Sequence, residues 1–494
     1  MPRNVVLITA DQWRGDCLSG AGHPVVRTPY LDQLAGRGAR FDRAYTAVPS
    51  CIPARAALHT GLAQTGHGRT GYRDGVPWEY PVTLAGEFGR HGYQTRAIGK
   101  LHAYPERNRI GFDEVTLHDG YLHQARDRRV DPRFHDDYAA WLERQPDGGD
   151  YTDHGLDCNS VVARPWDRAE RLHPTNWVVS EAVDFLYRRD PTAPFLLHLS
   201  FHRPHPPYDP PAWAFEQYLD APPYEPAVGD WAGDLEAWRD DARADANYAS
   251  YDGRTAHRAR AGYYGHMSHI DQQINRFVQA LGEFGLADDT WICFTSDHGE
   301  MLGEHRLWRK AYPYEGSARV PLILSGPRGA LPGGTVVGPG TVAELRDVMP
   351  TLLECAGLPV PDGLDGHSLL PAALGRELPS PRPYLHGEHV LFGESMHWLT
   401  DGRTKYVWFS GGGREQLFDL DADPRELHDL APAAARDVAV WRARLVAELD
   451  GRPEGYVAGG ELVPGRTPLD TLPDDWTRAR ARAQTQAQTQ PVRG

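Results

Sequence analysis

Val5-Val6-Leu7-Ile8-Thr9-Ala10-Asp11-Gln12 opens the chain with an apolar, β-branched run that stops at a carboxylate and an amide. Residues 5–9 are apolar on both alternating faces, as expected of a strand buried on both sides of a sheet. Similar runs recur at 94–98, 195–200, 291–295 and 320–325. Longer helical stretches lie between them. Thr28-Pro29-Tyr30-Leu31 joins a cap to a proline at the first helical position, 84–91 is stopped by Gly92, 261–281 is amphipathic, and 344–355 is stopped by Gly357. This alternation predicts an α/β fold, a mostly parallel sheet covered by helices on both faces.

Polar clusters follow four of these runs: Asp11-Gln12, Lys100 with His102, His202 with His205, and Asp297-His298. Ligands of open α/β sheets bind beyond the carboxyl ends of strands, so the four clusters are expected to meet at one edge. Residues 119–174 and 209–254 are rich in Asp, Arg, Pro and Trp without periodicity, and are expected to be long surface loops near the site. The Pro/Gly-rich stretch 359–383 is read as a linker. Beyond it, 405–409 and 416–420 read as strands around Gly411-Gly412-Gly413, and 434–449 as a helix, giving a smaller C-terminal α+β domain. The expected division is a catalytic domain over 1–375, a small domain over 384–460 and a disordered, low-complexity tail over 476–494.

The 494 residues carry 52 Lys+Arg against 67 Asp+Glu, a formal charge of −15, which argues against nucleic-acid and anionic-membrane partners. The N-terminal apolar run is too short for a signal peptide and no later stretch could span a bilayer, so a soluble, cytoplasmic protein is expected. Five cysteines, Cys17, Cys51, Cys158, Cys293 and Cys355, cannot all pair within one chain, so a disulfide framework is not expected.

Cys51-Ile52-Pro53-Ala54-Arg55 is the most specific segment. Pro53 and the helix formers after it put Cys51 at a helix N-terminus, where free N–H groups and the dipole favour an anion, and Arg55 adds a permanent cation one turn later. With Thr28 to Ala35, Gly99-Lys100-Leu101-His102, Arg203-Pro204-His205-Pro206-Pro207, Ser296-Asp297-His298-Gly299-Glu300, Arg319-Val320-Pro321-Leu322-Ile323 and Leu417-Phe418-Asp419-Leu420, it makes nearly the whole chain resemble the type I sulfatases of the alkaline phosphatase superfamily. Cys51-x-Pro53-x-Arg55 is similar to the motif that a formylglycine-generating enzyme converts, with Ala54 where many members have serine.

The resemblance implies an alkaline phosphatase-like fold and hydrolysis of a small-molecule sulfate monoester. It implies one divalent cation held by Asp11, Gln12, the formylglycine derived from Cys51, Asp297 and His298. Calcium is favoured over manganese or magnesium. Gln12 stands where many members have aspartate and His298 where many have asparagine. Hydrated formylglycine would attack sulfur, Arg55, Lys100 and Lys310 would hold the oxyanion, His205 would protonate the departing alkoxide, and His102 would take the proton that releases sulfate. His202 is expected only to orient a neighbour. Arg14, Arg73 and Trp78 are candidates for the alcohol portion. Phosphonate monoester or phosphodiester hydrolysis is the alternative on the same residues. A two-zinc phosphatase lacks a second ligand set, and a noncatalytic anion- or glycan-binding relative would be expected to show gaps in this one.

Overall fold

A computed structural model describes residues 3–120, 132–223 and 225–478. Its large sheet has eight strands in the spatial order Glu114–Leu117, Gln94–Gly99, Phe195–Pro204, Asn4–Asp11, Thr290–Ser296, Leu322–Ser325, Ala39–Phe41, Thr335–Val337. Only Leu322–Ser325 runs against its neighbours. The mostly parallel α/β fold read from the sequence is therefore the one observed.

The opening strand sits at the centre and explains its own composition. Val5 and Leu7 face a core shared with Leu58 and Leu352, on the side of helices Cys51–Thr60 and Val348–Cys355. Val6 and Ile8 face the opposite core, with Trp177, Ile270 and Ile274 from helices Pro174–Arg188 and Gly253–Glu283. Burying each such side chain contributes roughly 1.5–3 kcal/mol, so a polar residue is kept on this strand only where it has a partner, as Thr9 has in Ser200. The long helix Gly253–Glu283 contains the predicted 261–281 and starts at Asp252, whose carboxylate accepts the Arg254 and Thr255 N–H groups at 3.0 Å.

Four expectations need correction. The stretch 359–383 is no free linker, because Leu370–Ala373 is a helical turn and Leu369, Ala372 and Ala373 are buried in the large core. The insertions contain packed helices, Asp137–Leu142 and Ala212–Leu219, with Tyr138, Phe215 and Tyr218 buried. The C-terminal unit has four antiparallel strands, Leu385–Leu391, Glu394–Thr400, Thr404–Phe409 and Glu415–Asp419, rather than two. The chain also stays ordered past 476, where Trp476 donates its indole N–H to the Gly451 carbonyl at 3.1 Å; the rest of the expected tail, 479–494, lies outside the described residues.

Helix Ala435–Leu449 covers one face of the C-terminal sheet through Val438, Trp441 and Leu445 against Tyr406, Trp408 and Leu417. The other face docks on the large unit, where Trp398, Val407 and Phe418 meet Tyr45, Leu307 and Tyr314. Lys405 crosses this seam, fully buried, with its ammonium 2.9 Å from Glu315 and 2.8 Å from Glu426. No helix of the described residues is long and apolar enough to cross a membrane.

Candidate active site and metal centre

The carboxyl ends of the central strands deliver the site. Asn4–Asp11 ends at Asp11, and Thr290–Ser296 leads into Asp297 and His298. The Ser296 hydroxyl ties the two ends together, donating to the Ala10 carbonyl at 2.6 Å and accepting the Trp13 N–H at 2.8 Å. Helix Cys51–Thr60 brings its first residue to the same point. Cys51 is 2% exposed, its Sγ 3.3 Å from His298 Nε2, 3.7 Å from Lys100 Nζ and 3.9 Å from Asp11 Oδ1.

One donor atom each from Asp11, Cys51, Asp297 and His298 falls within 4.8 Å of the others, a spread that suits a single cation at ordinary bond lengths. His298 Nδ1–H donates to the Gly299 carbonyl at 2.9 Å, which fixes the tautomer and leaves Nε2 as the donor a metal needs. These residues fit the divalent ion that the family implies. Gln12 is placed differently: its carbonyl oxygen accepts from Lys310 Nζ at 2.7 Å and its amide donates to Glu300.

Arg55 is fully buried. Its Nε donates to Asp297 Oδ2 at 3.0 Å, and its Nη1 donates to the Lys100 carbonyl at 2.7 Å and to Ser200 Oγ at 3.0 Å. Its Nη2 is buried without a hydrogen-bond partner among the described residues, a donor that an oxyanion could use. Ser200 in turn accepts from Thr9 Oγ1 at 2.9 Å, and Thr9 meets His198 Nε2 at 3.0 Å.

Electrostatics favour charge here despite burial. Burial opposes ionisation of Asp11, but Lys100, ion-paired to it, together with His205, His298 and Lys310, holds its carboxyl well below the ordinary range. Burial and Asp11 push the Cys51 thiol up; Lys100, Lys310 and His298 outweigh them and leave it below its usual value. His205 is driven well down by burial and then by Lys310, and its Nδ1–H donates to the Pro206 carbonyl at 2.8 Å, leaving Nε2 for a reacting group.

Cys51, Lys100, His102, His202, His205 and Lys310 all line one cavity of about 440 Å³. Gln12, His102, Arg309 and Ala311 have φ of 73°, 57°, 67° and 84°, left-handed values for side-chain-bearing residues of the kind that collect at sites whose surroundings over-determine them. His202 accepts at Nδ1 from Arg203, which is held by Asp209 at 2.9 and 3.1 Å, so a buried chain orients this ring. The three candidates for the alcohol portion are placed outside the cavity lining. Arg14 pairs with Asp16 and Glu304, Arg73 with Asp470, and Trp78 is buried beneath Arg69.

Sequence reasoning missed Tyr72, Asn159, Asn247, Arg309, His389 and Phe392, all on this cavity. Arg309 adjoins Lys310 and was within reach of the same inference. His389 had no signal, because only the tertiary structure brings its ring to Ser50 Oγ, 2.7 Å away and one residue before Cys51.

A buried thiol at a helix N-terminus, beside groups that could hold a metal at the sheet's carboxyl edge, is the arrangement expected of a hydrolase of anionic esters on an alkaline phosphatase-like fold. The comparisons name the family. A model described as Sulfatase matches residues 3–358, and one described as N-sulphoglucosamine sulphohydrolase, C-terminal, matches 303–450. The chain is 46% identical over 479 residues to an arylsulfatase of Clostridium perfringens, covering 96% of this chain and 99% of that one. It is 30% identical to a choline-sulfatase of Rhizobium meliloti, covering 87% and 82%. Among solved structures, a phosphonate monoester hydrolase of Agrobacterium radiobacter superimposes with a TM-score of 0.76 at 28% identity, covering 90% of this chain and 95% of that one. The chain belongs to the sulfatase family, the sulfuric ester hydrolases.

Proposed function

We propose that the protein hydrolyses a sulfate monoester of an aryl, alkyl or sugar alcohol to the alcohol and inorganic sulfate. Residue 51 acts in its formylglycine form. One divalent cation, calcium before manganese or magnesium, would be held by Asp11, residue 51, Asp297 and His298, and Gln12 would join them only by giving up its bond from Lys310. When present, the cation supplies Lewis acidity towards a sulfate oxygen, and the formyl group, as its hydrate, supplies the attacking hydroxyl.

The chain's own residues do the rest. Arg55, Lys100 and Lys310 bind the nonbridging oxygens, each such donor being worth roughly 3–4 kcal/mol in the transition state. His205 presents Nε2 to the cavity, where a bound sulfate favours its protonated form, and gives that proton to the departing alkoxide. His102 takes the proton whose loss releases sulfate. Residues 1–375 form the catalytic domain and 384–460 the small one, and the free cysteines accord with a cytoplasmic setting.

The observation that carries this reading is Cys51 Sγ within 4 Å of Asp11, Lys100 and His298 at a helix N-terminus. Mass spectrometry of the peptide bearing residue 51, from a host with the formylglycine-generating enzyme, is expected to show the aldehyde; an unmodified thiol there would sink the mechanism. Phosphonate monoester hydrolysis is the second reading, favoured by His298 among the ligands and by the Agrobacterium structure. A larger kcat/KM for an aryl phosphonate than for the matching aryl sulfate would select it.

A further inference from the structure

Lys100, Lys310 and the histidines line the cavity, but about 440 Å³ is a volume that houses a whole small molecule rather than an inorganic anion. Part of the remaining lining is aromatic and apolar. Tyr72 is 44% exposed and Phe392 50% exposed, with Val390 and Leu391 beside them, and Trp238 backs Phe392 at a ring separation of 4.9 Å. Half-exposed rings on a cavity gain most by covering a flat apolar group.

Another part is cationic. Arg309 lines the cavity together with Asn159 and Asn247. Its Nη1 donates to the Asp245 carbonyl at 3.2 Å, its Nε is buried without a hydrogen bond, and it forms no ion pair among the described residues. Two carboxylates near its loop are already engaged. Asp245 is paired with Arg243, and Glu300 accepts from Gln12, from Leu302 N–H and from the Arg309 backbone N–H. Among the described residues no aspartate or glutamate lines the cavity, whereas Lys100, Arg309 and Lys310 all do. Lys100, ion-paired with Asp11, and Lys310, which donates to the neutral Gln12 amide, both serve the sulfate in the reading above, which leaves Arg309 as the cavity-lining cation available to a second anion. The strained backbone at Arg309 is pinned by Met301 N–H to its carbonyl at 2.8 Å and, two residues on, by Ala311 N–H to the Pro49 carbonyl at 2.9 Å.

We propose, on the sulfatase reading above, that the alcohol portion of the substrate is an aromatic ring bearing a second anionic group, which Arg309 receives. The same lining disfavours a quaternary ammonium alcohol, which would meet Arg309 and, among the described lining residues, no carboxylate. Specificity therefore comes from a loop of the large unit and an aromatic edge shared by Tyr72 of that unit and Phe392 of the C-terminal sheet.

The test compares kcat/KM for 4-carboxyphenyl sulfate, its neutral isostere 4-carbamoylphenyl sulfate, and choline sulfate. The amide is the better leaving group, so a preference for the carboxylate cannot come from intrinsic reactivity. The expected result is a carboxylate preference of about tenfold, the worth of one charge-assisted hydrogen bond, carried mainly in KM. In Arg309→Gln that ratio is expected to fall to near one. An equal or higher rate for the amide in the native enzyme, an unchanged ratio in Arg309→Gln, or choline sulfate as the best of the three would overturn the proposal. If all three sulfates are inert while an aryl phosphonate reacts, the sulfatase reading itself fails, and the charge preference is then decided on the matching carboxyl and carbamoyl phosphonates.

Discussion

Arg55 shows how far single residues can be read. Its place in Cys51-x-Pro53-x-Arg55 announced a cation beside the nucleophile, but not what holds the guanidinium still. Asp297, the Lys100 carbonyl and Ser200 do so, Ser200 backed by Thr9 and His198 on strands that the sequence predicts only as apolar runs, and nothing in a linear pattern marks a hydroxyl as the partner of a residue 145 positions away. Ser200→Ala removes one hydrogen bond from a buried cation, and kcat is expected to fall roughly tenfold with a smaller change in KM. A change confined to KM would assign Ser200 to substrate binding instead. Cys51→Ala is expected to reduce turnover to background while the folded state, followed by circular dichroism, and metal uptake, followed by calorimetry, persist. Full activity in that variant would remove residue 51 from the nucleophile's role.

Elements were legible where one kind of periodicity dominated. The central strands are apolar on both faces and the long helix has a single apolar stripe, so both were read correctly. Strands Leu385–Leu391 and Glu394–Thr400 were missed because His386, Glu388, His389, Ser395 and His397 are buried polar residues whose partners, Arg452 for Glu388 and Ser50 for His389, come from elsewhere in the chain. Helix junctions carry similar hidden groups. Asp271, on the long helix, accepts the Leu31 N–H at 2.7 Å and the Tyr30 N–H at 3.2 Å, capping helix Pro29–Arg37 from outside. Burial lifts its carboxyl from 3.8 to about 7, against those two bonds. The folded state therefore keeps a proton that the unfolded chain loses near pH 4, and the stability associated with it is lost as pH rises towards 7. Urea midpoints at about pH 5 and about pH 7 are expected to differ less in Asp271→Asn than in the native protein. Identical pH slopes would show that Asp271 does not titrate in this range.

At the scale of the molecule, the expected two-part division survives as two sheets, but the seam between them could not be foreseen. Aromatic residues and the Glu315–Lys405–Glu426 cluster join surfaces that are far apart in the chain. Burial, with Glu315 beside it, lifts Glu426 to about 7 even though Lys405 pulls it down. Removing the ammonium leaves two buried carboxylates facing each other, so Lys405→Met is expected to destabilise the protein by roughly 3–5 kcal/mol in chemical denaturation. Stability equal to that of the native protein would show that the seam does not depend on this cation.

The contact of His389 with Ser50 also sets a clock. More than three hundred residues separate Cys51 from the strand that lies over its helix entrance. At ribosomal rates that strand is made on the order of 15–70 s after Cys51. Throughout that interval the nascent chain holds Cys51 without its cover, open to any enzyme that must reach the thiol. A circular permutant beginning at the C-terminal sheet would make the cover first and reverse that order.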